Sequence, residues 1–360
     1  MVTVKRRRGA GRRRGGDRPR NATQKDIARR LGVSVMTVSK ALTGHPDISE
    51  ATRERVVAAA RDMRYTVNVL ARSLVQRRTR TIGVVVPDIS EPFYAEMIRA
   101  IEACLRGHGY DLLLADSAND PETELHAVTT LVEKRVDGCL LGPTARAEGA
   151  VDLLRQAGVA FVLVNAPTSF RDCDAIGIDR AEGARQSVRH LIACGYEDLY
   201  YLHTFPNLEQ SREAIRGCHE AVKAAGRPRP ELHLVACADH RLETFHAAVK
   251  QHVPDRGRRI GLFVFDDEMA VGVLRAVAEK GWDVPSKVGV VGFDDVRISR
   301  YLPKALTTVS HPKAEMGRRA ADRLIEVLAA KERPAPRRTQ LPVELVIRET
   351  TAPAQGSPAP

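Results

Sequence analysis

The chain has 360 residues, 43% of them hydrophobic, so it can bury more than one core, yet no apolar run reaches the roughly 20 residues that span a bilayer. Its formal net charge of +11 is unevenly placed: residues 1–80 carry 21 Lys and Arg against 6 Asp and Glu, and residues 81–360 carry 35 against 39. A polyanion such as DNA is therefore expected to meet the N-terminal fifth, and a membrane-spanning protein is excluded.

Residues 1–20 alternate Arg blocks with Gly and show no apolar period, which predicts a disordered basic arm suited to phosphate contact. Nothing apolar follows the Arg-rich start, so no signal peptide is expected. Next comes TQKDIARRLGVSVMTVSKAL, residues 23–42. Thr23 with Asp26 reads as an N-cap, and Ile27, Ala28 and Leu31 as an inward face. Gly32 supplies a turn, and Ser34 caps a second helix that returns Val38 and Ala41 or Leu42 to the same core. This is a helix-turn-helix. The second helix leaves Val35, Met36, Thr37, Ser39 and Lys40 outward, and apolar Val35 and Met36 suit a major-groove surface. Ser49 caps a third helix buried through Val56, Val57, Ala60 and Met63, closing a headpiece over residues 21–66. A short helix-capable segment with Asn68 as cap and a basic linker fill residues 67–80.

From Thr81 the pattern changes to short apolar strands alternating with amphipathic helices: 81–87, 110–115, 137–142, 160–165, 175–178, 198–202, 232–236, 260–265 and 288–293. Nine such strands over residues 81–348 predict an α/β fold of two lobes, each a doubly wound parallel sheet. Residues 349–360 are Pro/Ala-rich and are expected to be disordered. The six cysteines are single and lack CxxC spacing, so they read as reduced thiols of a cytoplasmic protein with no metal site. No GxSxG, P-loop, strand-to-helix GxGxxG or HExxH is present, so no enzyme and no cofactor are expected.

In an open parallel sheet, ligands bind beyond the C-terminal strand ends. Those ends deliver Glu91, Phe93, Tyr94, Thr144, Asn165, His203, Asp266, Asp267, Asp294 and Asp295, a polar set with two aromatics that suits a polyhydroxylated ligand. For Asp179, Asp267 and Asp295 a helix-capping role is at least as good an account.

Several segments, GVSVMTVSKAL, NVLARSL, PDISEPFYAEMIRAIE, KRVDGCLLG, DDEMAVGVLRAVAEKGWDVP and VGVVGFDDVRISRYLPKALTTV, resemble in order the LacI/GalR family of bacterial transcription repressors across residues 23–350. The resemblance implies a homodimer, with higher assembly left open, on a pseudo-palindromic operator. It also implies a periplasmic-binding-protein-like domain whose small-molecule effector controls DNA affinity. It assigns base reading to Val35, Met36 and Lys40, and it assigns to Asn68, Ala71, Arg72 and Leu74 a hinge helix whose leucine wedges into the minor groove. Val67 stands where the family usually has proline. Phe93, Tyr94, Asp266 and Asp294 match its ligand positions. Many members place a ligand-binding arginine where Ala214 stands here, so a less positive pocket and a neutral or cationic effector are expected. A neutral sugar leads, a purine or nucleoside is the alternative, and a solute-binding module without switching is a third reading.

Overall fold

The computed structural model describes residues 22–65, 78–166, 170, 172–204, 209–226 and 230–353. Contacts divide the chain into two compact units between Arg77 and Arg78.

In the first unit, helices α1 (Gln24–Leu31), α2 (Val35–Leu42) and α3 (Glu50–Asp62) enclose a small core of Ile27, Ala28, Val38, Ala41, Val56, Ala59 and Ala60. The predicted capping box forms: Thr23 Oγ1 accepts from Asp26 N at 3.3 Å, and Asp26 Oδ2 accepts from Thr23 N at 2.9 Å. These bonds satisfy N–H groups that the first helical turn leaves orphaned. Gly32 ends α1 at φ +66°, a left-handed conformation that needs glycine, and Ser34 caps α2 by accepting from Thr37 N at 3.0 Å.

The second unit holds two six-stranded sheets. The first contains β1 (Thr81–Val86), β2 (Asp111–Asp116), β3 (Gly138–Leu141), β4 (Ala160–Val164), β5 (Asp174–Ile178) and β11 (Arg338–Leu341) in the order β11-β5-β4-β3-β1-β2, all parallel. The second contains β6 (Asp198–Thr204), β7 (Glu231–Cys237), β8 (Ile260–Val264), β9 (Val288–Phe293), β10 (Thr307–Ser310) and β12 (Glu344–Val346) in the order β12-β10-β9-β8-β6-β7, antiparallel only between β10 and β12. All nine predicted strands are present. β10, β11 and β12 were not predicted.

Helices α4 (Pro92–Gly107), α5 (Pro121–Glu133) and α6 (Glu148–Gln156) belong to the first lobe, and α7 (Arg180–Ala193), α8 (Glu209–Ala224), α9 (Leu242–His252) and α10 (Asp267–Glu279) to the second. Helix α11 (Lys313–Ala329), although it follows β10, packs on α4, β3, β4 and β5 of the first lobe. The chain therefore crosses between lobes three times, after β5, after β10 and between β11 and β12. A buried ion pair pins the returning helix: Arg323 Nε lies 2.6 Å from Asp174 Oδ1, which also accepts from Arg337 N at 2.8 Å. The second carboxylate bond matters because a buried charge is tolerated only when well paired.

Residues 349–353 correct the expectation of a disordered tail. Thr350 Oγ1 donates to Val290 O at 2.7 Å, Thr350 O accepts from Val290 N at 3.0 Å, and Ala352 O accepts from Arg259 Nη2 at 3.0 Å. Pro/Ala composition says nothing about such bonds to β9, and residues 354–360 lie outside the described residues. Among the described residues no helix is long and apolar enough to cross a membrane.

Candidate functional site

In both lobes the strand order reverses beside the first strand, β1 between β2 and β3 and β6 between β7 and β8. At such a switch point adjacent crossovers leave on opposite faces and open a crevice at the C-terminal strand ends. The two crevices face each other across one cavity, to which the segments after all of β1 to β9 contribute. Glu91, Phe93 and Tyr94 follow β1, Asn119 β2, Thr144 β3, Asn165 β4, Arg180 β5, Gln210 β6, His240 β7, Phe265 and Asp266 β8, and Asp294 β9. Of the ten strand-end candidates from the sequence, Glu91, Phe93, Tyr94, Thr144, Asn165, Asp266 and Asp294 line it.

One position, His203, differs from expectation, while Asp267 and Asp295 take the structural alternative that the sequence left open. His203 does not line the cavity, because β6 runs on to Thr204 and leaves this ring inside the strand, stacked on Tyr201 at 5.2 Å. Asp267 and Asp295 are structural: Asp267 Oδ2 accepts from Val296 N at 2.9 Å and Ser299 Oγ at 2.5 Å, and Asp295 pairs with Arg300 and Arg348. Asp179 caps α7, accepting from Glu182 N at 2.9 Å. The cavity also contains an arginine, contrary to the inference from Ala214. Arg180 is delivered by the β5 end rather than by the helix carrying Ala214.

Asp294 is held in unusual backbone geometry at φ +97°, followed by Asp295 at φ +48°. Two non-glycine residues in this region cost energy and persist only where their surroundings impose them. Those surroundings are visible. His311 Nε2 donates to Asp294 Oδ1 at 2.8 Å, and Lys313 Nζ donates to the carbonyl oxygens of Asp294 and, at 3.2 Å, Asp295. Burial opposes the Asp294 charge, but the His311 bond and the charges of Arg180 and Lys313 outweigh it and hold the carboxyl below its ordinary range. His311 and Lys313 lie in the second interlobe crossing, and Lys313 Nζ also sits 3.7 Å from Glu96 of α4.

Two further links join the lobes. Gln210 Nε2 donates to Asn165 O at 2.5 Å, and Asn165 Oδ1 accepts from Arg180 Nη2 at 3.3 Å. On the other side His240 bridges two carboxylates, pairing through Nε2 with Asp266 Oδ2 and facing Glu91 Oε1 at 3.3 Å through Nδ1. Burial disfavours the His240 cation, but Asp266 and Glu91 overcome it and lift its pKa to about 9, while burial pushes Glu91 up to about 8. Both folded-state values are raised, so both groups contribute stability that is complete at low pH and lost as pH rises through those values. The melting temperature of the large domain is expected to fall by several degrees between pH 6.5 and 9.5. His240→Ala should change this slope, because it removes one raised group and relieves Glu91 of the cation that lowers it, and a variant melting in parallel with the wild type would show that His240 carries no such charge.

On the headpiece, Val35 and Met36 are exposed by 40% and 69%, an apolar pair at the start of α2 with no core to join. Thr23 and Ser34 are occupied as caps, and Thr37 and Ser39 are half-buried on the same helix. Lys40 Nζ pairs with Asp47 Oδ2 at 2.9 Å, a contact with both partners exposed enough to be released cheaply. Asn68, Ala71, Arg72 and Leu74 lie outside the described residues, as do residues 1–20.

Residues 23–68 match the model of bacterial regulatory proteins of the lacI family, and residues 188–351 match the periplasmic binding protein-like domain. The chain is 30% identical to catabolite control protein A of Priestia megaterium, over 92% of this chain and 99% of that protein. It is 31% identical to the transcriptional regulator GalR of Escherichia coli, over 89% of this chain and 92% of that protein. A LacI family transcriptional regulator from Enterococcus faecium, solved with bound ribose, superposes with a TM-score of 0.68 at 26% identity, covering 76% of this chain and all of that one.

Proposed function

Because the chain belongs to the lacI family of bacterial regulatory proteins, we propose that it is a homodimeric repressor whose hold on a pseudo-palindromic operator is set by a neutral sugar bound between the lobes. It is a transcriptional regulator with an effector-binding domain and not an enzyme. In the proposed arrangement two headpieces read two half-sites, with Val35 and Met36 against base edges and Lys40 exchanging Asp47 for DNA.

One observation carries the choice of a neutral effector: the charges around the cavity are already paired within the protein. Asp266 is matched by His240, Asp294 by Arg180 and its bond from His311, and burial keeps Glu91 protonated below about 8. An anion would add an unmatched charge beside three acidic groups, which a buried site penalises. A sugar's hydroxyls can donate to Asp294 and accept from Arg180, whose buried Nε has no partner among the described residues, while Phe93 and Phe265 offer apolar surface. The ribose bound to the Enterococcus faecium regulator is such a ligand. Isothermal titration with a sugar and its phosphate decides the matter, the neutral member binding more tightly. Preference for the phosphate overturns the reading, and preference for a nucleoside replaces the sugar with the other neutral class.

The basic N-terminal fifth leads to a second expectation. Neutralising about 6–10 phosphates makes affinity fall about 10³- to 10⁵-fold between 50 and 200 mM salt. Deleting residues 1–20 should flatten that dependence without altering the preferred operator sequence. A changed preference would show that the arm reads bases.

A further inference from the structure

At the end of the second sheet remote from the effector cavity, β6 and β7 begin with a cluster that neither effector nor DNA recognition uses. Their parallel register pairs Asp198 with Glu231 and Tyr200 with His233. Residues two apart on a strand share a face, so D-x-Y on one strand and E-x-H on its neighbour form a square of four oxygen- and nitrogen-bearing side chains. One ligand atom from each of Asp198, Glu231 and His233 lies within 4.8 Å of the other two. Among the described residues two buried atoms there lack partners: Asp198, fully buried, has none for Oδ2, and the Tyr200 hydroxyl has none either. The Tyr200 ring stacks on His233 with centroids 4.6 Å apart. Buried polar atoms are nearly always satisfied, so an orphaned carboxylate oxygen beside an imidazole and a second carboxylate marks a place for a cation.

We propose that Asp198, Glu231 and His233 bind a divalent transition metal, Zn²⁺ being the best match to one imidazole and two carboxylates. Zinc bonds of about 2.0–2.2 Å would bring the ligand atoms to roughly 3.4 Å apart, so the cluster contracts by about 1 Å. Asp198 is fixed in the strand and the contraction falls on the more exposed Glu231 and His233. Two arginines compete for the same oxygens. Arg256 Nη1 lies 2.7 Å from Glu231 Oε2, and Arg258 Nη1 lies 3.4 Å from Asp198 Oδ1. Both are about half exposed, so the metal can displace them into water at small cost. Bound metal would clamp edge strand β7 to β6 and free the two guanidinium groups.

Isothermal titration of the chelator-treated full-length protein with zinc chloride tests this. The wild type is expected to bind one Zn²⁺ per chain more than His233→Ala, and Glu231→Gln to weaken that site at least tenfold. Arg256→Gln should tighten it several-fold by removing the competitor. Circular dichroism and operator binding of His233→Ala should match the wild type, which separates ligand loss from misfolding. Equal zinc stoichiometry in wild type and His233→Ala, including no binding by either, overturns the proposal, as does unchanged or weaker binding by Arg256→Gln.

Discussion

Asp294→Ala is expected to abolish the effector response while leaving operator binding intact. The carboxylate is buried, lines the cavity and holds its charge through His311, Arg180 and Lys313, so a ligand hydroxyl donating to it makes a charge-assisted bond. Losing one partner of such a bond costs on the order of 1.5–3 kcal/mol, roughly a 10- to 100-fold weaker effector. The effect on signalling should exceed the effect on affinity, because Asp294 is bonded to the crossing segment at His311 and Lys313, which also reaches Glu96 of the other lobe. A ligand that pulls on Asp294 thus pulls on the crossing between the lobes. Asp294→Asn separates the two contributions: asparagine tolerates the positive φ better than alanine but lacks the charge. Operator gel shifts titrated with effector would measure both variants; an ordinary dose response from Asp294→Ala would remove Asp294 from the recognition set, and one from Asp294→Asn alone would show that its charge is not needed.

Gly217→Val should destabilise the large domain by about 3 kcal/mol or more. Helix α8 passes so close to α7 at this point that a Cβ on residue 217 would lie 2.1 Å from the carbonyl oxygen of Ala181. The obstacle is backbone, which cannot rotate away, so the helices must part and the packing of Ala214, Cys218 and Ala221 loosens with them. The single tryptophan, Trp282, packs against the second lobe's core and reports urea unfolding of this unit directly. Gly257→Ala is the reference: its φ is +76° but nothing lies within 4 Å, so it should cost only the smaller backbone penalty. Coincident unfolding midpoints for the two variants would refute the close-approach argument.

The nine strands were legible because each carries a short apolar run between helical patterns, most clearly where the strand is buried on both faces, as in IGLFV of β8. The three missed strands, TTVS, RTQL and ELV, are three or four residues long and partly polar. Of these, β11 and β12 exist because the segments on either side of the last crossing find an open sheet edge, a nonlocal fact that periodicity cannot express. The cavity residues were legible for a related reason. Once strand ends are known, the residues just past them are candidates, and this found Asn165, Asp266 and Asp294. The same rule applied to the strand after Leu232 leads to His240, but the side chain lies three residues beyond Cys237 with no motif to mark it. Arg180 was hidden in a helix start where a basic residue looks misplaced against the dipole. Its presence there is explained by the Asn165 acceptor and the Phe293 ring, 5.1 Å below its guanidinium.

The three crossings between the lobes also set an order of events during synthesis. The ribosome completes β1 to β5 first, but the helix that covers one face of that sheet and the arginine that neutralises buried Asp174 both lie beyond residue 312. The nascent first lobe therefore waits with apolar surface and an unpaired carboxylate until nearly the whole second lobe has been translated. That second lobe in turn lacks β12 and the Thr350 bonds to β9 until residues 344–350 have emerged. Neither half can be finished and released ahead of the other. Translation stopped between β10 and β11 leaves two incomplete lobes rather than one finished one.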